Sequence, residues 1–156
     1  MFPVISISKS KNFLYLFVFL IIEEISDWLG YCVFNYFEPG FSDVSVDMFK
    51  GMSLTRAFMI LVLIAPFIET IICQFAIIEL LKKLKLSNQL TVLITAVIFG
   101  LLHDYNGFYI VMTVVAGFIF AYYYVALREQ GRWYAIFYVF LLHGLANLIA
   151  FYSTDF

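Results

Sequence analysis

Charge is what this sequence has least of. Asp, Glu, Lys and Arg make up only 13% of its 156 residues, about half the share in a typical soluble domain. A chain this short has a large surface for its volume, and so few polar side chains cannot cover it in water. A soluble globular domain is excluded, and the apolar excess equally excludes a disordered chain. The formal net charge of −2 offers no basic surplus, which argues against a nucleic-acid partner. Cysteine is scarce too. Cys32 and Cys73 show no CxxC or Cys/His spacing, so neither a disulfide framework nor a structural zinc site is expected. Both lie in apolar stretches, where cysteine behaves as a small hydrophobe.

What fills the chain is hydrocarbon and aromatic surface: 64% hydrophobic residues and 21% aromatic, led by 19 Phe and 11 Tyr. This composition suits lipid contact and interfacial anchoring. The expected fold is all-α, a polytopic membrane helix bundle of about five transmembrane helices forming a single integral membrane domain over 1–156. The spans read as Phe13 to Phe37, Leu54 to Leu81, Leu86 to His103, Phe108 to Leu127 and Trp133 to Tyr152, each near the ~20 residues that cross a bilayer core. A Pro-Gly turn is expected in Glu38-Pro39-Gly40-Phe41-Ser42-Asp43. The first apolar run is not followed by a small-x-small cleavage site, so it is expected to be retained rather than removed as a signal peptide.

Basic residues supply an independent check. With the N-terminus inside, Lys9, Lys11, Lys82, Lys83, Lys85, Arg128 and Arg132 lie on the inner side, and only Lys50 and Arg56 on the outer. That asymmetry follows the positive-inside rule and puts the C-terminus outside, with the cytoplasmic membrane as the expected location. The small-residue pairs Ala96/Gly100, Gly117/Ala121 and Ala146/Ala150 suggest close helix approach.

Ionisable side chains inside a bilayer are costly and usually face a bundle interior or a wet cavity. Glu69 lies near the middle of the second span. His103 closes the third, while His143 and Asn147 sit one turn apart on a single face of the fifth. Each has a plain explanation: a helix cap for His103, interhelical hydrogen bonding for His143 and Asn147, and a neutral buried acid for Glu69. Together they are a carboxylate, two imidazoles and a carboxamide, a set that a metal site, a proton pathway or a protease could each use. Glu23, Glu24 and Asp27 cluster on one face of the first span, either lining an entrance, binding a cation, or marking a span shorter than drawn.

The order of these segments resembles the CPBP family, the CAAX proteases and bacteriocin-processing enzymes that include type II prenyl endopeptidases. That family reads A-P-x-x-E-E-x-x-x-R, then F-x-x-x-H, then H-x-x-x-N. Here Ala65-Pro66 with Glu69, Phe99 with His103, and His143 with Asn147 fall in that order, within a family-like core of 54–150. Family members commonly have more spans, so the chain looks like a minimal version. The resemblance implies intramembrane peptide hydrolysis of a membrane-embedded or lipidated peptide. Glu69 would activate water, His103 would help to position it, and His143 and Asn147 would serve the oxyanion. Glu with two His is also a legitimate catalytic zinc set, but nothing in the sequence resembles HExxH and Asn is a poor zinc ligand, so a mechanism without a metal cofactor is expected.

Two positions depart from the family pattern: Thr70 stands at the second glutamate and Gln74 at the arginine. Both replacements are neutral, so no buried charge is stranded, and a Thr70–Gln74 hydrogen bond is expected in place of the ion pair. The same departure favours the alternative of a non-catalytic scaffold, a binding or immunity protein. A transport component would show inverted repeats or discontinuous helices, and the sequence shows neither.

Overall fold

The computed structural model describes residues 3–37 and 51–153. The expected Pro39-Gly40 turn and Lys50 lie outside the described residues. Five helices follow in order: α1 (Asn12–Phe37), α2 (Leu54–Lys83), α3 (Asn88–Leu101), α4 (Gly107–Leu127) and α5 (Arg132–Ser153). No strand occurs among the described residues. The protein is an all-α membrane helix bundle.

Helix ends are set by local chemistry. The hydroxyl of Ser53 accepts from the Arg56 N–H, that of Ser87 from Leu90, and the Asn106 side chain from Tyr109 at 2.8 Å. These caps satisfy donors that a helix start leaves orphaned. At the end of α2 the Leu86 N–H bonds the Leu81 carbonyl and the Lys85 N–H bonds Lys82. Lys85 takes a left-handed φ of 61° to allow this, the geometry of a Schellman turn. The basic run that reads as a topology signal is therefore also a helix stop.

The spans are unequal, which corrects the sequence reading of the third. Helix α3 has 14 residues rather than running from Leu86 to His103, and it rises about 21 Å against a hydrocarbon core of about 30 Å. Among the described residues, three helices are long and apolar enough to cross: Leu54–Lys83, Gly107–Gln130 and Arg132–Ser153. Helix α1 has 26 residues but carries Glu23, Glu24 and Asp27 in its length.

The core gathers on α4, where Ile119, Phe120, Ala121, Tyr123, Tyr124 and Leu127 are buried. Helix α3 packs against it at small residues. A Cβ on Gly100 would lie 2.9 Å from the Ile110 carbonyl, and one on Gly117 would lie 2.9 Å from Phe99. Two of the three small-residue pairs thus mark a real contact. The third does so only in part, because Ala146 is buried while Ala150 is exposed.

Polar groups tie the bundle together at one end. Glu79 receives Arg128 Nε at 2.7 Å and Nη2 at 3.1 Å, Arg132 Nε at 2.9 Å, and the Tyr124 hydroxyl at 3.3 Å. This joins α2, α4 and α5. Asn12 and Gln130 exchange reciprocal side-chain hydrogen bonds of 2.9 Å, joining α1 to the same end. Lys9 lies over the Tyr134 ring at 5.5 Å. Apolar side chains such as Phe17, Trp28, Phe67, Ile72, Leu93 and Phe137 are left exposed on the outside, as a lipid-facing surface requires.

Candidate active site

Helix α2 is wound unevenly. Met59–Ile64 and Thr70–Ile77 are π-helical and flank an ordinary α-helical turn, Ala65–Glu69. Such widened turns are rare and often accompany functional positions. Along this helix Val62, Pro66, Thr70, Cys73, Gln74 and Ile78 face the core, while Phe67, Ile68 and Ile72 face outward. Glu69 sits on the border between the two faces, its side chain 28% exposed.

Two imidazoles meet that carboxylate. His103 Nε2 and His143 Nε2 each lie 3.6 Å from the same oxygen, Glu69 Oε2. Both separations exceed a direct hydrogen bond and suit groups that share a water. The rings are held by packing and by the backbone. His103 Nδ1 lies 2.8 Å from the Phe99 carbonyl, so a proton there caps the end of α3 and turns Nε2 toward Glu69. The helix-cap contact expected of His103 is present, and the same ring faces Glu69 with its other nitrogen. The His143 ring stacks on Phe120 with centroids 4.6 Å apart and meets the Phe99 ring at 5.8 Å. Its Nδ1 is buried without a hydrogen-bond partner.

Asn147 is placed differently. Its Nδ2 donates to the Leu61 carbonyl at 2.9 Å, one helical turn beyond His143. The structure thus brings Glu69, His103 and His143 together and engages Asn147 with the backbone of α2. Thr70 and Gln74 are fully buried, but the expected hydrogen bond between them is absent. Thr70 Oγ1 and both polar atoms of the Gln74 carboxamide have no partner. The turn between them is π-wound, which alters the alignment that an α-helical spacing of four assumes.

Leu61 carries no signal of its own in the sequence, and Pro66 stands out there only as part of a motif. The visible signal was a proline inside an apolar helix, whose missing N–H must leave a carbonyl without its helical donor. Glu79 is a further residue outside the sequence expectations. The signal there was a lone acid beside a basic run, with two arginines near the loop between the last two spans.

A bundle of apolar helices that holds one carboxylate between two imidazoles defines an integral membrane protein with an acid–imidazole cluster in its helical core. The model of the type II CAAX prenyl endopeptidase Rce1-like family matches residues 51–149. The chain belongs to that family, a family of CAAX-protease-type endopeptidases. The match spans α2 to most of α5 and contains Glu69, His103, His143 and Asn147. Comparison with curated proteins and with solved structures gives no match.

Proposed function

We propose that the protein is an intramembrane endopeptidase that cleaves a lipidated or membrane-embedded peptide with water activated by Glu69. The observation that carries this reading is the shared oxygen: Glu69 Oε2 stands 3.6 Å from both imidazoles. A water lodged beside these three groups would give a proton to the Glu69 carboxylate while its oxygen adds to the scissile carbonyl carbon. His103 orients the water through Nε2. His143 Nε2 and the second hydrogen of Asn147 Nδ2 serve the developing oxyanion from one face of α5. Collapse of the tetrahedral species breaks the C–N bond, and the proton held by Glu69 passes to the departing amine. Family membership favours a prenylated peptide as substrate. The asymmetry of the basic residues favours an N-terminus on the cytoplasmic side and the cytoplasmic membrane as location.

No metal takes part in this scheme. Glu69→Gln retains shape but cannot take up the proton, so turnover of a fluorogenic farnesylated CAAX peptide by purified protein in liposomes is expected to fall ~10²-fold or more. Elemental analysis of the same wild-type preparation is expected to find no stoichiometric zinc. Equal cleavage by wild type and Glu69→Gln removes the glutamate base, and one zinc per chain lost on His103→Ala replaces the mechanism by a metal-dependent one. If neither protein cleaves and both retain a membrane partner, the non-catalytic scaffold takes its place.

A further inference from the structure

Pro66 lies one turn before Glu69 on the core face of α2. In the π-wound stretch just ahead of it, the Ala65 N–H bonds the Ile60 carbonyl, five residues back. The next donor in that ladder, at position 66, would serve the Leu61 carbonyl. Proline has no N–H to give. A partly buried carbonyl left in this way needs another donor, and the one it finds is Asn147 Nδ2 on α5 at 2.9 Å. The helices are pressed together here: a Cβ on Gly144 would lie 3.0 Å from the Val62 carbonyl, so only a glycine lets α5 approach without displacing backbone.

We propose that Pro66 is a positioning residue that frees the Leu61 carbonyl to fix the orientation of the Asn147 carboxamide. A carboxamide has two nearly isosteric ends, one donating and one accepting. A carbonyl can only accept, so Leu61 selects the Nδ2 end of Asn147 and holds it against α2. The second Nδ2 hydrogen is then directed from a fixed group, and fixed donors stabilise a developing oxyanion because they need no reorientation during the reaction. With an N–H restored at position 66, the Leu61 carbonyl is shared and the carboxamide is free to turn its oxygen inward. The catalytic consequence rests on the proposed peptidase reading, whereas the geometric one does not.

The test pairs Pro66→Ala with Asn147→Ala and the double variant. In liposomes with the farnesylated fluorogenic peptide, each single variant is expected to lower kcat about 10-fold or more with KM little changed. The double variant should be no slower than the slower single one. Pro66→Ala should melt at the same or a higher temperature, since it removes a proline from a helix, so loss of activity cannot be loss of fold. A second readout needs no activity. Protein labelled with [15N]asparagine should show an Asn147 carboxamide signal, assigned by its absence in Asn147→Ala, whose hydrogens exchange slowly. Pro66→Ala should accelerate that exchange. An unchanged Asn147 signal in Pro66→Ala overturns the proposal, as does a double variant whose defect is the product of the singles. If the wild type leaves the peptide uncut, the peptidase reading fails by itself and the amide signal decides the positioning role.

Discussion

Gln74 shows how much one side chain can depart from its surroundings. It is fully buried with both carboxamide atoms unpartnered, and Thr70 one turn earlier has a free hydroxyl. Buried polar groups without partners each carry a desolvation penalty of about 1–3 kcal/mol. Gln74→Leu keeps most of the volume and removes both atoms, so it is expected to stabilise the bundle by ~1–2 kcal/mol, read as a raised melting temperature in detergent. A lower melting temperature would mean that the carboxamide is partnered by bound water. Thr70→Ala removes only a small unpartnered hydroxyl and should change little. The single residues of the candidate site are legible because membranes make polar atoms conspicuous: Glu69, His103, His143 and Asn147 stand out in apolar runs. Their partners were not legible. That His103 binds the Phe99 carbonyl while facing Glu69, or that Asn147 takes Leu61, depends on how α2 is wound.

At the scale of the element, hydrophobic runs located all five helices, and the ends of α2, α4 and α5 fall within a few residues of the apolar limits. Helix α3 is where this failed. Leu102 and His103 continue the apolar run, yet the helix stops at Leu101 because the His103 ring takes the Phe99 carbonyl and the chain turns toward Asn106. The π-winding of α2 left no periodic trace, since a nearly continuous apolar sequence reads alike in either winding. The turn after α2 is more open to adjustment. Lys85 adopts a left-handed backbone that costs a residue with a Cβ about 1 kcal/mol or more. Lys85→Gly is expected to stabilise the protein by roughly 0.5–1 kcal/mol, as a shift of the thermal transition; a destabilised variant would show that the lysine side chain matters more than its backbone.

Across the whole molecule, one buried acid gathers three helices. Glu79 accepts from Arg128, Arg132 and Tyr124, while helix packing in lipid gains little from the hydrophobic effect. Removing one member of such a cluster leaves charge without its partner. Arg128→Gln is expected to destabilise by about 3 kcal/mol, seen as early unfolding in detergent. Replacing Glu79 and Arg128 together by a packed apolar pair should recover much of the loss. An Arg128→Gln protein as stable as the wild type would make Arg132 the sufficient partner. The arginines were visible in the sequence only as topology signals, because nothing local says that α4 and α5 deliver them to an acid on α2.

The shortness of α3 also ties the chemistry to bilayer thickness. Its 14 residues fall about 9 Å short of a typical hydrocarbon core, and the non-helical turn that carries His103 can be tolerated at that depth only beside protein or water. Lipid around α3 must thin, or water must reach in along the turn, and longer acyl chains make either response harder. Hydration of the acid–imidazole cluster then becomes a property of the host membrane as well as of the chain. Turnover in vesicles of increasing acyl length should decline at constant headgroup and fluidity; a flat profile would show that the other four helices set the water boundary. A helix that stops short would make this protein a gauge of the membrane that holds it.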